Sequence, residues 1–269
     1  MGGFPAVEIF KNDKAPWVLF IHAIGGGAGT WALQTEAFAA DYNLLLAEFH
    51  AETHTERRDE PLEIENVCKR LFEMLNERGI ERVHIVSLCG GSLIALAFAA
   101  LYPNMVGGMV SAGGILAFNT QEKIGYMFLQ FMKITLPYML AYRIIVWMLM
   151  PGKRHLKARR AIVDGARSLD DKFDRAEFGR WVDFIAVTLD NDSYIERLNS
   201  LKNAPRTLYV MGSGDKRWLP LLCKHIHRLN NARIEVLPGC GHVCFLDRPD
   251  LFNEIALNFI GAQEMNQKL

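Results

Sequence analysis

The sequence predicts an α/β fold: a mostly parallel central sheet with helices on both faces and a helical insertion between two of its strands. Three observations predict it. Short apolar runs alternate with helical stretches at both ends of the chain, the pattern of strands joined by crossover helices. The alternation stops between about Ile115 and Asn203, where the pattern is helical throughout. Half of the 269 residues are hydrophobic, enough for a large buried core. The expected division is a core of residues 1–114 and 204–269, with residues 115–203 forming a lid. Such an insertion belongs over the carboxyl edge of the sheet, where open α/β sheets keep their active sites.

The elements follow in order. Val7 to Phe10, Trp17 to His22 and Asn43 to Glu48 read as strands. Glu65 to Leu75 is helical, with Val67, Cys68, Leu71, Phe72 and Leu75 on one face. Arg82 to Ser87 is a β-branched run ending in glycines, and Leu93 to Leu101 is a buried helix stopped by Pro103. Met105 to Ser111, Thr207 to Met211 and Arg233 to Leu237 complete the strands, and a last helix runs from about Pro249 to Ile260. No repeat or low-complexity tract interrupts them.

Thirty basic residues balance thirty acidic ones and no basic run stands out, so no nucleic-acid partner is expected. Five irregularly spaced cysteines suit a reducing compartment rather than a disulfide framework. Met-Gly-Gly-Phe-Pro-Ala lacks the pattern of a signal peptide, so the expected location is the cytoplasm. Met127 to Met150 is apolar and long enough to cross a bilayer, but Gln130, Lys133, Pro137 and Arg143 interrupt it. Pro137 is expected to split it into two short helices of a soluble lid, with contact to a membrane surface or a true span as the alternatives.

Four motifs carry chemistry. In Ser87-Leu88-Cys89-Gly90-Gly91, a strand-to-helix turn with small residues two positions either side would present Cys89 as a nucleophile. Ser87 would have Ile85 and Cys89 at those positions and Ser92 would have Gly90 and Ile94, so neither serine has small residues on both sides. The following helix directs its positive end at Cys89 and favours a thiolate, the reactive form. His22-Ala23-Ile24-Gly25-Gly26-Gly27 is a turn after a strand; the backbone N–H groups of Ile24 and Gly90 are the candidate oxyanion hole. This turn has neither the Lys-Ser/Thr nor the spacing of a nucleotide-binding loop. Met211-Gly212-Ser213-Gly214-Asp215 and Gly239-Cys240-Gly241-His242 each follow a strand, and offer an acid and a base in the chain order nucleophile, acid, histidine.

Nearly the whole chain resembles the α/β-hydrolase superfamily. Trp17 to Gly27 with Trp31 is similar to the family's oxyanion strand and turn. Ser87 to Gly91 is similar to its elbow, and Leu208 to Asp215 to its acid strand. Gly241-His242 with Arg248-Pro249-Asp250-Leu251-Phe252 is similar to its terminal histidine and helix. Two positions depart: His22-Ala23 stands where His-Gly is usual, and Cys89 where serine is usual. A cysteine elbow resembles dienelactone hydrolases and polyhydroxyalkanoate synthases, though the chain is short for a synthase.

The expected reaction is acyl transfer from an ester or thioester. Cys89 attacks, His242 moves the proton, Asp215 orients His242, and the acyl-thioenzyme passes its group to water, with no metal or cofactor required. An alcohol, amine or thiol acceptor would make the protein an acyltransferase, and an inert Cys89 a non-catalytic ligand binder. The expected partner is a small acyl ester or thioester; the oligomeric state stays open. His50-Ala51-Glu52-Thr53-His54 lacks the spacing of a zinc helix, and Cys240 with Cys244 is short of a tetrahedral ligand set. Lys153 to Arg160 reads as a solvated lid face, or else as a surface for an anionic membrane or acyl carrier. Met127, Phe128, Phe131, Met132, Tyr138 and Met139 read chiefly as packing, with an acyl pocket as their other use.

Overall fold

The computed structural model describes residues 4–23, 25–49, 63–150, 152, 155–169, 173–188 and 191–267. Seven strands form one sheet: β1 (Ala6–Ile9), β2 (Trp17–Ile21), β3 (Asn43–Ala47), β4 (Val83–Leu88), β5 (Val106–Ala112), β6 (Thr207–Gly212) and β7 (Ala232–Leu237). Their order is β1-β3-β2-β4-β5-β6-β7. Only the β1–β3 pair is antiparallel, with Ala6 opposite Ala47. Every residue of β3, β4, β5 and β6 is buried, as expected of strands covered on both faces.

The register levels the carboxyl ends of the central strands. Ile21 pairs with Ser87, Ser87 with Ser111, Ala112 with Val210, and Gly212 with Leu237. The loops after β2, β4, β5, β6 and β7 therefore start along one edge. Helix α1 (Ala32–Ala39) follows the first of these loops, α2 (Ile64–Asn76) precedes β4, and α3 (Gly91–Leu101) follows β4. From Gly91 to Ala100 every residue of α3 is buried. Its apolar character all round is that of a helix enclosed by protein.

Five helices lie between β5 and β6 among the described residues: α4 (Thr120–Thr135), α5 (Tyr138–Leu149), α6 (Leu156–Arg167), α7 (Arg175–Thr188) and α8 (Asp192–Ser200). Pro137 caps α5 and separates it from α4, as its missing N–H and fixed φ require. Among the described residues no helix is long and apolar enough to cross a membrane.

The chain closes with α9 (Trp218–His225), the short α10 (Cys244–Asp247) and α11 (Pro249–Gln267). Three helices were not foreseen from the sequence. In α1 only Gln34 and Phe38 are buried, so no apolar stripe announces it. Helices α9 and α10 span eight and four residues, too few for a period to register. Helix α11 continues beyond Ile260, because Gln263 is buried and Glu264 reaches His84 Nε2 at 2.5 Å. Burial lowers the His84 pKa against the opposing pull of Glu264.

Phe98 is fully buried on α3, against Tyr102 at a ring separation of 5.2 Å. Phe98→Ala removes a ring the surroundings cannot refill. The expected loss is about 3–5 kcal/mol, read from the urea midpoint.

Candidate active site

The turn after β4 is strained. Cys89 has φ +48°, and it is the only non-glycine residue with positive φ among the described residues. A side chain in this region persists only where the surroundings enforce it. Here the Cys89 N–H donates to Ala112 O at 3.0 Å, and Ser92 N–H donates to Cys89 O at 3.0 Å. Gly91 makes the turn possible. A methyl group there would sit 2.7 Å from the His22 carbonyl oxygen and 2.8 Å from that of Ile21. At Gly90 it would meet nothing within 4 Å.

The neighbouring serines are engaged in structure. Ser87 Oγ lies 2.7 Å from Ser111 Oγ inside the sheet. Ser92 Oγ lies 2.6 Å from Cys89 O and accepts the Ile115 N–H at 2.8 Å. The cysteines differ just as sharply. Cys68, Cys240 and Cys244 are buried, Cys223 is on the surface, and Cys89 is half-buried at a cavity wall. Burial pushes the thiols of Cys68, Cys240 and Cys244 up in pKa, away from the reactive form.

Asp215 and His242 meet from the loops after β6 and β7. His242 Nδ1 donates to Asp215 Oδ2 at 2.7 Å. Asp215 Oδ1 accepts the N–H groups of Trp218 at 2.9 Å and Arg217 at 3.2 Å. Burial alone would raise the Asp215 pKa. Its hydrogen bond to His242, the charge of that ring and the two backbone donors outweigh burial and hold it below the ordinary value. Burial likewise works to lower the His242 pKa. The negative charge available at Cys89, the Asp215 hydrogen bond and further coupling to both groups raise it instead. His242 Nε2 is buried and lacks a hydrogen bond of good geometry to any described residue. Cys89 couples to the ring electrostatically, a looser arrangement usual before substrate binds.

Glycines let these loops approach. A methyl group at Gly212 would lie 2.1 Å from Gly241 O, and one at Gly113, where φ is +53°, 2.4 Å from His242 O. Cross-links tie the loops together: Gly214 N–H to Cys240 O at 2.8 Å, Gly239 N–H to Ser213 Oγ at 3.0 Å, and Gly241 N–H to Asp247 Oδ2 at 2.8 Å.

Ile24 lies outside the described residues, as do His50, Glu52 and His54. The flanks of Ile24, Ala23 and Gly25, line the cavity beside Cys89 and Gly90. His22 braces the turn: Nδ1 donates to Ala23 O at 2.7 Å and Nε2 accepts the Phe49 N–H at 3.3 Å. Among the described residues no group of three or more His, Cys, Asp or Glu could hold a metal ion, so Cys240 and Cys244 form no such set.

The cavity encloses about 410 Å³. Cys89, Gly90, His242 and Trp218 line it from the sheet side, and Tyr126, Leu129, Tyr142, Ile162 and Phe184 from the helices between β5 and β6. Tyr142 was not foreseen. A methyl group at Gly25 would fall 2.5 Å from its hydroxyl oxygen, so the phenol lies directly over the turn. Burial, and then the nearby Cys89, raise its pKa and keep it a neutral O–H donor. Nothing in local sequence marks it, because it stands on the insertion. For the close approach to the His242 loop, the local signal is Gly113-Gly114 after β5.

A strained elbow and a buried acid–histidine pair at the carboxyl edge of a parallel sheet define an α/β enzyme of the hydrolase class. The model of the alpha/beta hydrolase family matches residues 18–255, and the chain belongs to that family. A 2-hydroxy-6-oxo-6-phenylhexa-2,4-dienoate hydrolase of Burkholderia cepacia is 26% identical over 96% of this chain and 93% of its own. RutD of Shigella flexneri serotype 5b is 23% identical over 92% of each chain. The crystal structure of MGS-M2, an alpha/beta hydrolase enzyme from a deep-sea metagenome library, superposes with a TM-score of 0.79 at 21% identity, covering 96% of this chain and 94% of that one.

Two checks follow from this geometry. Gly91→Ala is expected to cost about 1–3 kcal/mol, because backbone must move, while Gly90→Ala stays near wild type; thermal melts of both compare them. The depressed Asp215 pKa contributes stability that is present above its unfolded value and lost as pH falls through the folded one. The raised His242 pKa contributes stability that is present below its unfolded value and lost as pH rises through the folded one. Asp215→Asn should therefore flatten the acid limb of the Tm–pH curve and only part of the alkaline limb, because Cys89 still raises the His242 pKa.

Proposed function

We propose that the protein hydrolyses an ester or thioester through Cys89, His242 and Asp215. The observation that carries this reading is the buried Asp215–His242 hydrogen bond of 2.7 Å, with the only strained non-glycine residue among those described, a cysteine, coupled to the same imidazole. In this reading residues 115–203 form a lid, and the cavity beneath holds the acyl group. The subtype in this reading is a cysteine elbow, Ser87 to Gly91, resembling those of dienelactone hydrolases and polyhydroxyalkanoate synthases.

The sulfur of Cys89 attacks the carbonyl carbon, and its proton passes to His242 Nε2. Asp215 accepts the Nδ1–H and stabilises the imidazolium. The oxyanion takes hydrogen bonds from the N–H groups of Ile24 and Gly90. The Tyr142 hydroxyl, over the same turn, is a third donor. Collapse breaks the bond to the alcohol or thiol, which leaves with the proton from His242. Water then gives a proton to His242 and attacks the thioester, releasing the acid and restoring the thiol.

Incubation with activated esters and acyl-thioesters, followed by intact mass spectrometry, tests the reading. One acyl mass is expected on Cys89, none after Cys89→Ala, and a yield that rises with acyl length until the cavity is filled. Single-turnover acylation should fall about a thousandfold or more in His242→Ala and Asp215→Asn, and about tenfold in Tyr142→Phe. No adduct with any probe, or labelling of Cys223 instead, would leave a ligand-binding protein. Faster discharge by amines or thiols than by water would make it an acyltransferase.

A further inference from the structure

The helices over the cavity expose a surface that the reaction does not use. Helix α4 has three faces. Tyr126 and Leu129 line the cavity, and Met132 is buried. Gln130 and Lys133 reach Asp183 of α7 at 3.0 and 2.6 Å. The third face carries Ile124, Met127, Phe128, Phe131 and Ile134, each between 50% and 69% exposed. Their spacing of three and four residues makes one continuous apolar stripe. On α5 and α6, Leu140, Trp147 and Leu156 are exposed as well. Eight of the thirteen exposed large hydrophobic side chains of the described residues thus fall between residues 124 and 156. An exposed apolar stripe such as that on α4 marks an interaction site.

The charge of the same segment says what meets it. Residues 123–167 contain nine Lys or Arg and one acidic residue, Asp164, in a chain whose formal net charge is zero. A groove between α5 and α6 is lined by Leu140, Ile144, Trp147 and Val163 and by Arg143, Arg159, Arg160 and Arg167, with one acid, Asp164, which pairs with Arg167 at 3.3 Å; Arg159 also donates to the carbonyls of Met150 and Gly152. Arg175 from α7 lies at the end of the stripe, its Nη2 donating to Ile134 O at 3.2 Å. Exposed Phe, Met, Ile and Trp beside guanidinium groups are the composition of helices that lie in the headgroup layer of an anionic bilayer. An acidic protein would match the charge but not so many protruding apolar side chains.

We propose that α4, α5 and α6 form a docking surface for anionic phospholipid membranes, with the α4 stripe inserted at the headgroup boundary and the arginines on lipid phosphates. The opposite face of α4 lines the cavity, so one helix separates lipid from Cys89. The surface stands on exposure and charge alone and does not depend on the catalytic reading.

Flotation of the full chain with vesicles tests it, using phosphatidylcholine alone or mixed with phosphatidylglycerol. The protein is expected to float with the mixed vesicles, to stay behind with phosphatidylcholine alone at physiological salt, and to be released by high salt. Each basic residue at the surface contributes on the order of fivefold in partitioning. Met127→Glu with Phe131→Glu, and separately Arg143→Glu with Arg160→Glu, should each cut recovery about tenfold or more while leaving the melting temperature and the circular dichroism spectrum unchanged, since all four side chains are exposed. Equal flotation with both vesicle types, flotation unaffected by either pair, or no flotation at all would overturn the proposal. So would a concentration-dependent dimer abolished by Met127→Glu with Phe131→Glu, which would assign the stripe to a second copy of the chain.

Discussion

The hydrogen bond between Asp215 and His242 joins two loops that leave adjacent strands, and the arrangement around it is conditioned by its requirements. Both groups are buried, where a lone charge is costly. The carboxylate is held ionised by its histidine and by two backbone N–H groups at the head of α9. The main chains must come nearly into contact for the pair to form, which is why Gly212 and Gly113 stand where any Cβ would strike the histidine loop. A single added methyl group at either position would separate acid from base.

The elbow works under a similar constraint. Helix α3 approaches β2 so closely that Gly91 has no room for a side chain, and the chain reaches it through a left-handed residue. The cost of that conformation is borne by the fully buried α3 and by the bond from Cys89 to Ala112. The result is one thiol at a cavity wall, while Cys68, Cys240 and Cys244 are sealed in the core.

The helices between β5 and β6 carry apolar side chains on both their inner and their outer faces. Their inner faces are mostly apolar around the cavity, as is usual of small-molecule pockets. Their outer faces carry exposed apolar side chains too, Ile124, Met127, Phe128, Phe131 and Ile134 on α4 and Leu140 and Trp147 on α5, the surface to which we assigned a lipid partner. Neither packing nor an acyl pocket, the two uses their residue types suggest, is where Met127, Phe128 and Phe131 lie; they are on the outer face, whereas Met132 packs inward. Composition alone cannot separate these uses, since both faces of α4 draw on the same residue types.

The sequence by itself determined the alternation of strands and helices, the helical stretch between β5 and β6 and the break at Pro137, and it offered Cys89, Asp215 and His242 in chain order as candidates. These are local properties: a period, a proline, a small residue on each side of a turn. The choice of Cys89 over Ser87 and Ser92 was legible for the same reason, and the sheet then shows both serines hydrogen-bonded into the structure. Tertiary structure alone decided what depends on distance through space. It placed Tyr142 over Gly25 from more than a hundred residues along the chain. It carried α11 past Ile260, because His84 lay within reach of Glu264. It also decided which side of α4 is covered. A residue's own neighbours in sequence set its backbone preference, but only the packing of distant elements sets which of its faces meets a cavity, a partner helix or solvent.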